Sequence, residues 1–275
     1  MLCRKCGSPL ALGADGRFKG ICNARTGVGG RFCGTWTIKA PPPPLPVAAR
    51  TIPLSEVEDL TIDRLGADTW WAPLLGGGIV PGTTILIGGE PGGGKSTLSV
   101  QIADAIAEET GLPSLYLAME EKAGMIRSRA ARIGCQHLNR IIVPAEKPTA
   151  ELEILNGLED VGFIILDSLP YLAGRDENKA LDICQRLTEY AQETDTPILI
   201  LDHVTKGEQL AGLMTLQHAV DVTIYLRSNH RVERRVWETI KNRHGDGFVT
   251  RDLLMTTLGL ELAPDVEPKL KLVQT

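Results

Sequence analysis

Residues 88–97, GGEPGGGKST, fit the pattern G-x-x-x-x-G-K-[ST], with Gly89 opening the loop, Gly94 ending it, and Lys95 and Ser96 following. Such a loop turns a strand abruptly into a helix while its backbone N–H groups point inward around phosphate oxygens. Glycines permit both the dihedral angles and the close approach. Lys95 would neutralise the β- and γ-phosphates of a nucleoside triphosphate such as ATP, and the Ser96 hydroxyl would ligate Mg2+. Glu90, Pro91, Gly92, Gly93 and Thr97 complete the expected nucleotide-binding set.

A magnesium–triphosphate site needs a second carboxylate at the end of another core strand. The run FIILD ends on Asp167, which would hold the metal's water shell, although an acid in that position can also cap a helix. Hydrolysis further needs a group that orients or deprotonates the attacking water. The run YLAMEE closes on Glu120 and Glu121. Glu120, immediately after the strand, is the expected catalytic base, and Glu121 would cap the next helix and favour its N-terminal dipole. In LDHVTK, His203 could donate to a γ-phosphate oxygen and move when that phosphate leaves; a core histidine satisfied by backbone is the rival reading.

Two cations one residue apart, Lys241 and Arg243 in IKNRHGDG, follow the strand-like run RRVWETI and would sit at its exit. The residues leave open whose negative charge they meet: this subunit's own ligand, a neighbour's, or none at all. At the other end of the chain, Cys3, Cys6, Cys22 and Cys33 give C-x2-C-x15-C-x10-C. Four thiolates in a segment with almost no core suit a four-cysteine site in which Zn2+ supplies the folding energy. Disulfides compete with that reading but suit an oxidising compartment. Cys135 and Cys184 fall in expected helices and are read as buried apolar residues.

Elements that would carry these groups can be read from periodicity. TTILIG (83–88) is a short buried strand leading into a helix from about Lys95 to Glu109, on which Leu98, Ile102, Ala105 and Ile106 share a face. SLYLAM, RIIVP, FIILD and PILILDH read as further strands, with helices over EKAGMIRSRAARIG and over roughly 176–193. DVTIYLR, RRVWETIKN and FVTRDLLMT then follow one another with short links. Alternating strands and helices predict an α/β fold with a mostly parallel central sheet, and the late strand run predicts antiparallel edge strands. The proline run KAPPPPLPVAAR separates this part from the cysteine-rich one. The expected division is residues 1–39 as a four-cysteine zinc module, 40–50 as a Pro-rich linker, 51–262 as the ATPase core and 263–275 as a C-terminal tail.

The 275 residues are 43% hydrophobic and carry a net charge of −5. Basic residues are nevertheless concentrated: residues 1–39 hold seven Lys or Arg against Asp15 alone, and residues 227–251 hold seven against three acids. Local basic faces on an acidic body suit a protein that touches polyanions at chosen places. The lack of a membrane-length apolar run and of a signal-peptide pattern leads to the expectation of a cytoplasmic protein with no membrane partner.

Taken together, the four cysteines, PLSEVE, LGGGIVPGTTILIGGEPGGGKSTL, LYLAMEE, SRAARIG, IILDS, DHVTKGEQLAG and KNRHG resemble the bacterial RadA (Sms) family of RecA-like P-loop NTPases. In KNRHG, His244 stands where that family's signature has phenylalanine. The resemblance implies an ATP-dependent DNA motor or helicase acting in recombination and repair, by branch migration or translocation on single-stranded DNA. It implies ATP sites shared between subunits of a homo-oligomer, a hexameric ring, with Lys241 and Arg243 reaching the neighbour's γ-phosphate. It also implies DNA-contacting loops after the fourth and fifth strands, offering Arg175 and Lys179 in the first and Lys206 in the second. Family members usually continue into a Lon protease-like C-terminal domain, so the chain is expected to be a short form without it. A replicative helicase of the DnaB class and a KaiC-like signalling or scaffold ATPase share the core features and remain as alternatives.

Overall fold

The structure, a computed structural model, describes residues 25–26, 31–32, 53–56, 63–145, 155, 158, 160–174, 176–203, 215–228 and 233–264. The chain divides into two compact units, Met1–Leu60 and Thr61–Thr275. In the first, strands β1 (Arg25–Thr26) and β2 (Arg31–Phe32) form an antiparallel ribbon, and a 3-10 turn covers Leu54–Glu56. The expectation of a four-cysteine zinc module before the core, with Zn2+ as a cofactor, is corrected here. A structural zinc needs four converging ligands, and among the described residues no group of three or more His, Cys, Asp or Glu side chains could hold a metal ion. Cys3, Cys6, Cys22 and Cys33 lie outside the described residues.

The second unit is built on a nine-stranded sheet among the described residues. Its strands are β3 (Thr84–Gly89), β4 (Ser114–Ala118), β5 (Ile141–Ile142), β6 (Phe163–Asp167), β7 (Ile198–Leu201), β8 (Val222–Ser228), β9 (Arg234–Asn242), β10 (Thr250–Thr256) and β11 (Gly259–Leu262). Their spatial order is β11-β10-β9-β8-β3-β7-β6-β4-β5. From β8 to β5 every neighbouring pair is parallel, whereas β8–β9, β9–β10 and β10–β11 are antiparallel. The expected mostly parallel sheet with an antiparallel edge is therefore present.

Central strands are apolar without alternation because helices cover both faces. Along β3, Ile85 and Ile87 join the core beneath α1 (Lys95–Thr110) and α2 (Ala123–Arg132), together with Leu98, Ile102, Ile106, Ile126 and Phe163. Leu86, between them, joins the opposite core with Leu166, Ile200 and, from the helix over Glu177–Thr194, Ile183, Cys184, Leu187 and Ala191. That helix begins at Asp176, whose carboxylate accepts from the N–H groups of Asn178 and Lys179.

Three elements differ from expectation. RIIVP contributes only the two-residue edge strand β5. The residues after β6 form a short helix, α3 (Leu169–Ala173), with Leu169, Leu172 and Ala173 buried, where the sequence suggests an open loop. The helix over Glu177–Thr194 is therefore α4. Strand β11 is not anticipated; the Gln101 side chain donates to the Leu260 carbonyl and accepts from its N–H, pinning the strand to α1. Among the described residues no helix is long and apolar enough to cross a membrane.

Candidate active site

The carboxyl ends of β3, β4, β6 and β7 converge, so the groups that follow each strand meet along one edge of the sheet. The glycine-rich loop leaves β3 there. A Cβ at Gly89 would stand 2.3 Å from the Leu226 carbonyl oxygen on β8, which leaves room for glycine alone. Gly94, with φ of 102°, bends the chain into α1 in the left-handed region that side chains disfavour.

Lys95 is buried in the first turn of α1. Its ammonium folds back on the loop, donating to the carbonyls of Gly89 (2.7 Å) and Glu90 (3.1 Å). Burial lowers its pKa to about 8, against the opposing pull of Asp167, Asp202, Glu120 and Glu90. Those four acids make the edge strongly negative around one buried cation.

Asp167 at the end of β6 is 4% exposed, and burial raises its pKa. The Tyr116 hydroxyl donates to it at 2.5 Å, and the Ser96 hydroxyl forms a second side-chain hydrogen bond with it. Ser96 and Asp167, neighbouring oxygen ligands at the mouth of a phosphate loop, fit Mg2+, a hard cation that keeps several waters and takes few protein ligands. The missing cluster of three protein ligands therefore does not count against magnesium as it does against zinc.

The two adjacent glutamates after β4 part company. Glu121 makes a two-pronged ion pair with Arg129 of α2, at 2.5 and 2.9 Å. Glu120 instead accepts from the Ser168 hydroxyl and stands 3.3 Å from His203 Nε2. His203 Nδ1 is buried without a partner among the described residues. Asp202, beside it, accepts from the His203 backbone N–H, and burial raises its carboxyl pKa.

Lys241 and Arg243 lie elsewhere. Register sets Asn242 opposite Val222 and Val222 opposite Ile85, level with the start of β3. The loop begins at Gly89, the other end of that strand, four residues from Ile85 and about 13 Å away at about 3.3 Å per residue; Lys241, opposite Thr223 and so level with Leu86, is about 10 Å from it along the strand. The Lys241 ammonium donates to the carbonyls of Gln217 and Val220, at 2.6 Å each, and its pKa is lowered by burial and by Arg243. Arg243 Nη1 donates to Asp221 Oδ1 at 2.8 Å. The hairpin bearing them rests on the glycine run before β3: a Cβ at Gly76 would meet Gly245 Cα at 2.9 Å, and Arg64 Nη2 donates to the His244 carbonyl at 2.6 Å.

Of the residues expected to contact DNA, Lys179 lies in the first turn of α4 and its ammonium donates to the Leu172 carbonyl at 2.5 Å. Arg175 and Lys206 lie outside the described residues. Asp202, Asp221, Ser168 and Tyr116 are the polar groups sequence reasoning passed over. Two carried a signal: Asp202 follows an apolar strand and Asp221 immediately precedes one.

Comparison with known proteins places this arrangement. The model of a family described as AAA domain matches residues 53–209. The DNA repair protein RadA of Aquifex aeolicus is 35% identical over 198 residues, spanning 70% of this chain and 44% of that protein. RadA of Mycobacterium tuberculosis is 34% identical over 182 residues (62% and 37%), and RadA of Streptococcus pyogenes 32% over 207 (72% and 45%). The chain thus spans less than half the length of these curated relatives. Among solved structures, a KaiC-like protein from Pyrococcus horikoshii OT3 superposes with a TM-score of 0.62 at 20% identity, over 74% of this chain and 100% of that one. The RadB recombinase superposes at 0.55 and 18% identity, over 71% and 97%. At such identities the likeness is one of fold.

Proposed function

We propose, for a chain that belongs to the AAA domain family and is classed with the bacterial RadA proteins as a RecA-like ATPase, that ATP held by one subunit is hydrolysed with cations lent by the next and that the cycle drives movement on DNA. The chain is an ATP-hydrolysing enzyme by that membership. The shared site, the DNA substrate and the homo-oligomer, a ring of six, are our reading.

The observation that carries it is the separation of Lys241 and Arg243 from Lys95 along the sheet. An arginine side chain extends roughly 7 Å, well short of the ~13 Å that the four residues of strand from Ile85 to Gly89 span. Arg243 is out of reach of its own loop and exposed, as a cation offered to a neighbour would be, whereas the Lys241 ammonium is held by the Gln217 and Val220 carbonyls. In the proposed cycle the loop amides and Lys95 bind the phosphates, Ser96 and Asp167 hold Mg2+, and Glu120 takes the proton of the attacking water. The metal, when bound, supplies charge neutralisation on the phosphate oxygens. Ser168 orients Glu120, and His203, close to the same carboxylate, reports loss of the γ-phosphate. Arg243 and Lys241 of the adjacent subunit offset charge on the leaving phosphoryl group, which makes turnover conditional on assembly.

The DNA part of the reading is supported by the relatives, each called a DNA repair protein, and by the basic segment 227–251. Repair and recombination, through branch migration or translocation on single strands, are the roles proposed, with Lys179, Arg175 and Lys206 as phosphate contacts. The test is ATP turnover with and without single-stranded DNA at low and high salt. Stimulation that falls steeply with salt is expected; turnover indifferent to DNA at low salt contradicts the DNA reading.

A further inference from the structure

Asp221 is the least expected charged group near the lent cations. It immediately precedes β8, its side chain is 5% exposed, and it bridges two strands. Oδ2 accepts from the Thr84 N–H at 3.0 Å, and Oδ1 accepts from Arg243 Nη1 at 2.8 Å. Main-chain bonds double the link: the Asp221 N–H donates to the Thr84 carbonyl at 3.0 Å, and the Arg243 N–H donates to the Asp221 carbonyl at 3.2 Å. Thr84 begins β3, the strand that ends in the phosphate loop.

The pair is asymmetric. Asp221 cannot swing, because its second oxygen is fixed to backbone, whereas the Arg243 side chain is 50% exposed. Guanidinium is a rigid planar fork with five N–H donors, of which Asp221 takes one. The remaining donors are available to an anion approaching from outside. A second cation stands close: the Lys241 pKa is lowered by burial and then by Arg243. The buried Asp221 carboxylate, paired with Arg243, also favours the charged form of Lys241 and so offsets the repulsion between the two cations.

We propose that Asp221 is a positioning residue for Arg243, holding the guanidinium in the pose in which it meets the triphosphate of the adjoining subunit. The inference rests on the shared-site reading above. It makes the strand that ends in one subunit's phosphate loop also the rail that sets the finger offered to the next.

The test uses Asp221→Asn in the full chain, which keeps the shape and an acceptor for the Thr84 N–H but removes the charge. By analogy with other orienting partners, kcat falls roughly 10–100-fold. The KM for ATP, binding of a fluorescent ATP analogue and Tm stay at wild-type values. Arg243→Ala combined with Asp221→Asn is no slower than Arg243→Ala alone. Mixing Asp221→Asn with Lys95→Ala subunits restores turnover, because the latter lend correctly held fingers. Wild-type kcat in Asp221→Asn overturns the proposal. So does loss of Tm and analogue binding together with turnover, the mark of a purely structural carboxylate. If Lys95→Ala rescues Arg243→Ala but not Asp221→Asn, the shared site stands and the role of Asp221 fails. If it rescues neither, the shared site fails and takes this proposal with it.

Discussion

Lys95 and Arg243 stand at opposite edges of one mixed sheet, Lys95 just beyond the carboxyl end of β3 and Arg243 beside its amino end. Within one subunit they cannot meet on the same phosphate. Stacked head to tail, copies of the chain would bring the amino edge of one sheet to the carboxyl edge of the next, a heterologous contact that generates rings or filaments.

Arg243→Ala is expected to lower kcat by roughly 10³-fold or more while leaving ATP binding intact, the loss typical of a missing arginine finger. Steady-state turnover and equilibrium binding of an ATP analogue check the two halves separately. Weakened analogue binding in an isolated subunit would assign Arg243 to its own site instead.

The neighbouring glutamates are expected to respond differently. Glu120→Gln should reduce turnover by roughly 10²–10⁴-fold with ATP still bound, as loss of a general base does. Glu121→Ala removes the Arg129 pair, costs stability within about 1 kcal/mol, and leaves turnover within a few-fold of wild type. The reverse order of severity would exchange their roles.

The Lys95 pKa of about 8 gives a pH signature. It lies below the ordinary lysine value of 10.5. Between the two, the unfolded chain holds more protons than the nucleotide-free protein, so stability rises with pH across that window. Bound phosphates favour the ammonium form, and ATP binding above pH 8 is therefore expected to take up a proton. Titration calorimetry in buffers of different ionisation enthalpy measures that uptake. Lys95→Ala should abolish it; an unchanged uptake would assign the proton elsewhere.

Gly89→Ala is expected to disrupt nucleotide binding, because its Cβ would lie 2.3 Å from the Leu226 carbonyl oxygen and must push β3 and β8 apart. Analogue binding and Tm should fall together. Wild-type values of both would mean that the loop tolerates displacement.

What could be read from the sequence follows from the range of the interactions. The phosphate loop, Asp167 and the apolar strands are local patterns: each is written within a few consecutive residues, and strands covered on both faces have no alternation to misread. In the division of labour between Glu120 and Glu121, the first half reads from sequence as a helix cap, but Lys122 is the N-cap of α2 and Glu121 instead pairs with Arg129 near the other end of that helix. The second half, the Ser168 and His203 contacts, joins residues on three strand ends and has no local mark. Asp221 and Thr84 are 137 positions apart and meet through a parallel register that periodicity does not encode. Helix α3 escaped because five residues are too few for a helical period, and β11 because its anchor, Gln101, lies on a distant helix. The four-cysteine spacing prompted the opposite error, a zinc module inferred from ligand spacing in a segment with little core, which no metal-holding group among the described residues supports.

The central claim is that the ATP site is completed by a second subunit, and specific activity as a function of protein concentration tests it most directly. Turnover per subunit, followed beside light scattering, should rise as oligomers form and collapse on dilution to the monomer. A monomer that hydrolyses ATP at the full rate, at every dilution, would contradict it.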